Sequence, residues 1–200
     1  AMTADVEGLR TAGGRVTLDP EMVSDPAMVA AFVADAGWPV IAIEQGTKAP
    51  LKSGGKNHQA AWLRTPREVL DAAEGMEAPQ GWTQARSFAV MTGIQLRQGP
   101  ALVALDLDGD MDELAALLEE AGPEAQAWAR SAARVQRCDQ RMHLYGVIEA
   151  DGVPTTGLLA PGLEWRGLGG YILLPKSKHP QGQRYEFTGG AVLDSDECVA

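Results

Sequence analysis

Apolar residues recur at helical spacing in four segments of the chain. In the first segment, 25–37, an Asp-Pro pair supplies an N-cap and a first-turn proline, four apolar residues follow, and Gly37 ends the pattern. Similar start signals and periodicity predict further helices at 65–74, 111–121 and 123–132. We expect the first helix to cover a sheet, because its apolar residues form one stripe.

Short apolar or alternating runs bounded by turn residues predict strands. In the first half of the chain the runs lie at 38–43, 87–91 and 101–105. In the second half five runs follow one another, at 134–137, 142–147, 163–166, 171–174 and 184–187. Short consecutive strands joined by turns are typical of an antiparallel sheet. The fold class is therefore predicted to be mixed α/β (α+β) with an antiparallel second half.

These elements fall between two less regular ends. Residues 1–24 are polar and without periodicity, which predicts a flexible arm, and residues 191–200 are interpreted as a tail or a linker to further domains. The 200 residues, 45% of them hydrophobic, suffice for one globular domain over 25–190. No apolar run is long enough to cross a membrane and no signal pattern opens the chain, so a cytoplasmic protein is expected.

Charge is distributed unevenly along the chain. The net charge of −10 argues against a protein that coats nucleic acid non-specifically, since such binding depends on Lys and Arg. Residues 130–190 nevertheless carry eight Lys and Arg against five Asp and Glu. The C-terminal part is therefore predicted to present a basic surface to a polyanion. Cys138 and Cys198 are too few to make a zinc site by themselves, so no zinc is expected.

Two carboxylates follow the apolar strand at 101–105. Asp106 and Asp108 stand two residues apart, so on a strand both point to one face and can reach a common point about 4 to 5 Å above the sheet. Two unpaired carboxylates at that distance repel each other, and a divalent cation such as Mg²⁺ relieves the repulsion. The alternative is that these acids cap the next helix, which is the favoured interpretation for Asp110 and Asp112.

Two other kinds of Asp-x-Asp site are weighed against this one. An EF-hand loop starting at Asp106 requires Gly at its sixth position and Glu at its twelfth, where the chain has Met111 and Leu117. A phosphohydrolase of the haloacid dehalogenase type also has a strand before such a motif, and the segment 103–109 looks like one. In such enzymes a threonine follows the motif, where this chain has Asp110, and the second acidic pair of their site is missing here. The phosphohydrolase is therefore kept only as an alternative.

Three residues of the second half are predicted to complete the site. His143 alternates with apolar neighbours on a strand, and Arg141 shares its face, so the two form a cationic pair suited to a triphosphate. His143 is alternatively a hydrogen-bonded core group. Glu164 stands between Leu163 and Trp165, where a carboxylate is costly to bury, so it meets either Arg166 or a metal.

Two basic loops are further candidates for phosphate binding. Lys176, Ser177, Lys178 and His179 occupy a turn after a strand, and Lys48, Lys52 and Lys56 lie in a Gly-rich loop. The first loop is interpreted as a second phosphate clamp and the second as a contact for phosphate or for a nucleic-acid strand. For both loops the alternative is ordinary surface basicity.

The order of these motifs resembles the primase-polymerase (Prim-Pol) domain of phage and plasmid replication proteins, a branch of the archaeo-eukaryotic primase superfamily. The matching segments are the Asp-x-Asp motif, the strand ending in His-Leu-Tyr, the acid two positions before Arg-Gly, and Ser-x-His with a following Gly and Tyr. Lys48-Ala49-Pro50, Ala60-Ala61-Trp62 and the strand AVMTG at 89–93 extend the resemblance upstream, so that it covers about 25–190.

The resemblance implies a two-lobed fold and a template-directed nucleotidyltransferase. Its N-terminal α/β lobe and its C-terminal antiparallel sheet, like that of an RNA-recognition motif, are expected to flank an active-site cleft. Asp106, Asp108 and Glu164 match the positions that bind two Mg²⁺ or Mn²⁺ ions, and His143 matches the histidine that contacts the incoming triphosphate. Arg141, Lys176, Ser177, His179 and Lys48 are expected to bind the nucleotide, and Tyr171 either faces the sugar or lies in the core.

The expected partners follow from the same resemblance. They are a single-stranded or primed DNA template, ribonucleoside or deoxyribonucleoside triphosphates, and a helicase domain C-terminal to this one, in a phage- or plasmid-encoded protein of a bacterial cytoplasm. A non-catalytic nucleic-acid-binding module that uses the same sheet remains an alternative from another class. Three carboxylates on the binding face disfavour it, because a pure phosphate binder has no use for them.

Overall fold

Helices and antiparallel strands make up the described part of the chain in this computed structural model. It describes residues 11–12, 15–16, 25–51, 61–74, 87–94, 101–138, 140–148 and 152–190. Up to the strand that carries Asp106, the elements are β1 (Thr11–Ala12), β2 (Arg15–Val16), α1 (Pro26–Asp35), β3 (Val40–Ile43), α2 (Pro66–Glu74), β4 (Ser87–Met91) and β5 (Ala101–Asp108). After it come α3 (Met111–Ala121), α4 (Pro123–Ser131), β6 (Ala133–Cys138), β7 (Arg141–Ile148), β8 (Gly157–Ala160), β9 (Leu163–Arg166), β10 (Tyr171–Leu173) and β11 (Glu186–Gly189).

A three-stranded antiparallel sheet of order β10-β4-β3 carries the first two helices. The α1 helix begins where Asp25 accepts a hydrogen bond from the Ala27 N–H, as the Asp-Pro start predicts. The second helix begins with a reciprocal cap, in which the Thr65 hydroxyl accepts from the Glu68 N–H and the Glu68 carboxylate accepts from the Thr65 N–H. Both helices pack against this sheet, which confirms that the first helix covers a sheet.

A six-stranded antiparallel sheet of order β11-β6-β7-β5-β9-β8 contains most of the second half of the chain. One face of its centre packs against α3 and α4, where Leu105, Leu107, Met142, Leu144 and Leu163 form a cluster with Leu114 and Ala129. Because neighbouring side chains on a strand point to opposite faces, Asp106 and Asp108 lie on the other face. The central strand is therefore apolar on the side of the helices and acidic, at its end, on the opposite side.

The acidic face of β5 is apolar nearer the start of the strand. There Leu102 and Ala104 belong to a larger apolar cluster that includes residues of both sheets. Buried within it, the hydroxyl of Tyr145 on β7 donates a hydrogen bond to the carbonyl of Leu173 on β10, at 2.7 Å. Thus the face of the six-stranded sheet changes along β5 from packed apolar residues to the carboxylates.

The structure confirms the mixed α+β class and the antiparallel second half, and its differences in detail include the following. The predicted strand at 171–174 pairs with β4 in the three-stranded sheet. This partner was not predicted, because the periodicity of a strand does not encode which strand it pairs with. The strand predicted at 101–105 continues through Asp108, since its pairing with β7 includes Asp106 and Asp108. The exposed edge strand β8 was not predicted, because it lacks an apolar alternation.

The arrangement into two lobes with a cleft stays a prediction, as do the domain bounds. Most of the predicted arm at 1–24, the tail at 191–200, and Lys52 and Lys56 lie outside the described residues. None of the described helices has the length and apolar character that crossing a membrane requires.

The buried hydrogen bond between Tyr145 and Leu173 gives a test of how the two sheets are joined. Tyr145→Phe removes the donor and leaves a buried carbonyl without it, so the free energy of unfolding is expected to fall by about 1 to 3 kcal/mol. Urea unfolding measures this as a lower midpoint at an unchanged slope. In the matched control Tyr171→Phe, the lost hydrogen bond is exposed, and the expected change is smaller. Equal effects of the two substitutions would contradict the buried role of Tyr145.

Candidate active site

Strand register places three predicted site residues side by side. Asp106 on β5 is paired directly with His143 on β7 and with Glu164 on β9, its neighbours on either side. Residues directly opposite each other on neighbouring strands share a face of the sheet. The row of His143, Asp106 and Glu164, which we call the acidic row, therefore lies across three adjacent strands although its members are distant in sequence.

Asp108 and Arg141 form the next row along the same strands. They are directly paired on β5 and β7, two residues beyond Asp106 and His143, and so share their face. The N–H of Asp108 donates to the carbonyl of Gly162 at 2.7 Å, which ties the end of β5 to the turn before β9. Gly162 has a φ of 77°, and a Cβ there would lie 3.3 Å from the Cα of Gly109, so the turn requires glycine.

Arg166 links the two carboxylates of the acidic row. Its guanidinium donates to Asp106 Oδ2 at 2.7 Å and lies 2.8 Å from Glu164 Oε2. The side chain of Asp106 is only 15% exposed. Burial by itself raises the pKa of its carboxyl, but the nearby His143 and the hydrogen bond and charge of Arg166 outweigh burial, and the pKa lies below its ordinary value. Asp106 is therefore ionised at neutral pH.

Arg137 and Arg141 face Asp108 in a similar way. Asp108 Oδ1 lies 3.2 Å from Arg141 Nη1 and 3.5 Å from Arg137 Nη2. The Arg137 side chain is almost wholly buried, whereas that of Asp108 is 47% exposed. A buried guanidinium needs a partner to offset its lost hydration. It finds two here, because it also contacts the imidazole of His179.

His143 is buried beside the carboxylate of Asp106. Its Nε2 lies 3.5 Å from Asp106 Oδ1, and its ring stacks on Tyr185 with the centroids 4.7 Å apart. Burial lowers the pKa of His143 to about 4, although the charge of Asp106 acts in the opposite direction. The ring is therefore neutral at pH 7. Within the described part of the chain its Nδ1 has no hydrogen-bond partner.

His179 stands between two hydrogen-bond donors. Arg137 Nη1 lies 2.5 Å from its Nε2, and the Gln181 N–H donates to its Nδ1 at 3.2 Å. A neutral imidazole accepts at one nitrogen only, so the ring cannot satisfy both donors at once. Burial, together with the charge of Arg137, lowers the pKa of His179 to about 4. This ring, like that of His143, is uncharged at neutral pH.

The loop after β10 holds the other predicted phosphate contacts in different environments. Ser177 is fully buried, and its hydroxyl donates to the Phe88 carbonyl while accepting from the Phe88 N–H. It fastens this loop to β4, and its hydroxyl does not reach the surface. Lys176 has a positive φ of 67°, and its ammonium pairs with the Glu186 carboxylate. The structure thus brings His179 to the site but gives Ser177 a bracing position behind it.

Tyr171 and Lys48 meet at the periphery of the site. The half-buried Tyr171 donates its hydroxyl hydrogen to the backbone carbonyl of Lys48 at 2.9 Å. Burial raises the pKa of Tyr171, while Arg166 acts in the opposite direction. The Lys48 ammonium is exposed, and its charge lowers the pKa values of Asp106, His143 and His179. Lys48 therefore contributes positive charge to the same region as the acidic row.

The oxygen donors of the site fit a hard divalent cation in kind and in register. Within the described residues, no group of three or more His, Cys, Asp and Glu side chains is arranged as a metal centre. The reason is visible in the contacts, because each carboxylate is turned toward an arginine. Asp108 and Glu164 are 47% and 35% exposed, so solvent reaches both carboxylates. Carboxylate oxygens are the ligands that Mg²⁺ and Mn²⁺ prefer.

Two residues of the site were not predicted as site residues from the sequence. Arg137 reaches Asp108 because a β-bulge shifts the register between Gln136 and Cys138, and no sequence pattern signals that shift. Tyr185 lies in the predicted strand at 184–187, but its stacking on His143 was not predicted. Arg166 was predicted only as a possible partner of Glu164, and the structure confirms that contact and adds Asp106. Asp110 caps α3 as expected, by accepting from the Asp112 N–H.

Carboxylates and arginines thus alternate on one face of the sheet, and guanidinium groups of this kind can bind phosphate oxygens. Residues 30–198 match the family described as bifunctional DNA primase/polymerase, N-terminal (Prim-Pol). The chain belongs to this family, and it is accordingly a nucleotidyltransferase of DNA replication. Membership implies a DNA template and nucleotide substrates. No curated protein matches the chain.

The surroundings of His179 predict a dependence of stability on pH. The unfolded chain takes up a proton near pH 6.5 that the folded chain takes up only near pH 4, so the free energy of unfolding falls as the pH falls between these values. His179→Gln removes this proton while keeping an acceptor for Arg137. We expect the variant to lose less stability than the parent between about pH 7 and pH 5 in urea unfolding. Identical slopes would show that His179 titrates normally in the fold.

Proposed function

We propose that this chain joins nucleotides to a 3′-hydroxyl on a DNA template by a two-metal mechanism, with Asp106, Asp108 and Glu164 as the metal ligands. The observation that carries the proposal is the acidic row, in which residues from three strands meet in register. Asp108 follows on the same face, two residues along β5. Such a row supports the assignment made by resemblance for each of these carboxylates.

The residues present fit two Mg²⁺ or Mn²⁺ ions by the chemistry of their oxygen donors. When bound, such ions lower the pKa of the attacking hydroxyl and neutralise the leaving pyrophosphate. The protein's own contribution begins with His143 and Arg166, which hold the pKa of Asp106 below its ordinary value against the effect of burial. An ionised carboxylate is what a metal ligand must be. Arg166 is therefore proposed as a positioning residue for Asp106 and Glu164.

The triphosphate is proposed to lie against the cations beside the acidic row. Arg137 and Arg141 present guanidinium groups on the face of the row, and Lys48 adds an exposed ammonium nearby. Guanidinium groups bind phosphate oxygens through paired hydrogen bonds. The neutral His143 can donate a single hydrogen bond without adding charge, and His179 contributes through its contact with Arg137. Lys176, now paired with Glu186, lies in the same loop as His179.

Two of the predicted nucleotide contacts are proposed to act by holding other residues of the site in place. Ser177 fastens the loop that carries His179 to β4, so it supports the phosphate contacts from behind. Tyr171 holds the backbone of Lys48 with its hydroxyl, and its half-buried ring remains a candidate to face the sugar. In-line displacement depends mainly on positioning, so such supporting contacts matter for rate.

The family match separates this function from the alternatives. It supports a primase/polymerase rather than a haloacid dehalogenase-type phosphohydrolase or a non-catalytic binding module. The acidic row agrees, since carboxylates on a purely phosphate-binding face weaken binding. We further propose that the domain works in phage or plasmid replication in a bacterial cytoplasm. Its template would be single-stranded or primed DNA, with a helicase domain in the same protein.

The metal-binding role of the two aspartates has a direct test. Asp106→Asn combined with Asp108→Asn keeps the side-chain size and removes both charges. Incorporation of labelled nucleotide on a primed single-stranded template with Mg²⁺ or Mn²⁺ should fall by about 100-fold or more, because the ligands contribute several kcal/mol to the transition state. Circular dichroism should show that the domain remains folded.

A matched control removes the same two charges elsewhere. Asp112→Asn with Glu120→Gln alters two exposed acids on α3 and should leave incorporation within about twofold of the parent. Retained incorporation in the Asp106/Asp108 variant would refute the assignment of the site. An inactive but folded parent under both metals would instead favour the non-catalytic module.

Arg141 offers a test of the phosphate side. Its guanidinium is partly exposed and pairs only with Asp108 in the described structure, so Arg141→Gln should not harm folding. Loss of a charged hydrogen bond to the triphosphate should raise the KM for nucleotide by roughly 10- to 100-fold. The control Arg67→Gln removes an equally charged, exposed side chain from α2. If both variants shift the KM alike, Arg141 has no specific contact with the nucleotide.

A further inference from the structure

Leu158 is a large apolar side chain exposed on the face of the carboxylates. It is 71% exposed and is paired directly with Glu164, which is paired in turn with Asp106. An exposed leucine is ordinary by itself. The position of Leu158 is less ordinary, because strand register makes it the next member of the acidic row, beyond Glu164.

No further strand covers Leu158 within the described residues, where β8 is the last strand of the six-stranded sheet. Neighbouring strands lie about 4.8 Å apart, which places Leu158 about 10 Å from Asp106 across the sheet. A substrate whose reacting group lies over Asp106 and Glu164 can therefore extend to Leu158. Burial of this side chain against such a substrate would be favourable, since removing apolar surface from water stabilises a complex.

Positive charge lies on the opposite side of the row. Arg137 and Arg141 are on β6 and β7, and His179 contacts Arg137. A third arginine, Arg166, is on β9, where its guanidinium contacts Asp106 and Glu164. Across the sheet, two arginines therefore stand on β6 and β7 beside Asp108, one row beyond the acidic row. The carboxylates and Arg166 stand on β5 and β9, and the exposed apolar Leu158 stands on β8.

Under the proposed function, this asymmetry favours one direction of the reaction across the sheet. In phosphoryl transfer the attacking oxygen and the leaving oxygen lie on opposite sides of the phosphorus, roughly in line. The leaving pyrophosphate belongs over the cations on β6 and β7, because it carries the negative charge. The attacking 3′-hydroxyl must then approach from the side of β9 and β8.

We propose that Leu158 packs against the sugar and base of the terminal primer nucleotide, the one that bears the attacking 3′-hydroxyl. The inference rests on the proposed function and adds to it a contact for the primer end. The contact is apolar and independent of base identity, since every nucleotide presents the face of a sugar and a base. Leu158 is a positioning residue, because it touches the primer nucleotide and not the reacting phosphate.

The test compares Leu158→Ser with the matched control Leu159→Ser. Leu159 is 53% exposed and falls at the bulge between the paired residues Leu158 and Ala160, so it has no partner on the acidic row. The KM for primed template should rise about 5- to 10-fold in Leu158→Ser, because apolar contact is lost, while the KM for nucleotide stays within about twofold. Leu159→Ser should match the parent in both constants.

A binding measurement separates this inference from the proposed function. Fluorescence anisotropy with a labelled primed template should show a similar loss of affinity in Leu158→Ser, whereas unprimed single-stranded DNA of the same sequence should bind both proteins equally. This readout decides the point even if the parent does not extend primers, a result that would refute the proposed function alone. Equal affinity of parent and Leu158→Ser for the primed template would overturn the inference. So would an equal loss in Leu159→Ser, or a change confined to the KM for nucleotide.

Discussion

The ion pair between Asp106 and Arg166 is the contact on which the arrangement of the site depends. A carboxylate that is only 15% exposed would favour its neutral form if nothing offset the loss of its hydration. Arg166 offsets that loss by donating to Asp106 and by reaching Glu164 as well, so one guanidinium holds two carboxylates from two strands. His143 and Arg166 together hold the pKa of Asp106 below its ordinary value, although burial acts in the opposite direction. Arg166 thus holds the two carboxylates side by side.

The two faces of β5 explain how such charge is tolerated in the middle of a sheet. On one face Leu105 and Leu107 pack beneath α3 and α4, and this packing fixes the strand in its register. A shift by one residue would bury Asp106 under the helices and expose the leucines, at a large cost. The apolar face thus determines the position of the acidic face. Register between strands then sets which residues of β7, β9 and β8 stand beside Asp106.

Local chemistry could be predicted from the sequence further than long-range geometry. Helix starts such as Asp25 and Asp110, the shared face of Asp106 and Asp108, and the alternatives for Glu164 all follow from spacing of a few residues. The meeting of Asp106 with Glu164 does not, because it depends on pairing between strands about 60 residues apart. Neither does the pairing of β10 with β4, nor the approach of Arg137 through a bulge.

The charges of the site also resolve an apparent conflict between an acidic chain and a polyanionic substrate. The net charge of −10 disfavours long-range attraction to DNA, and yet the site combines Arg137, Arg141, Arg166 and Lys48 with three carboxylates. Charges beyond about 10 Å are screened at physiological salt, so a bound nucleotide responds to this local set rather than to the whole chain. Attraction at short range, with little at long range, predicts weak and transient contact with a polyanion. The proposed contact of Leu158 with the primer end is consistent with this balance, because an apolar contact adds affinity that does not depend on charge.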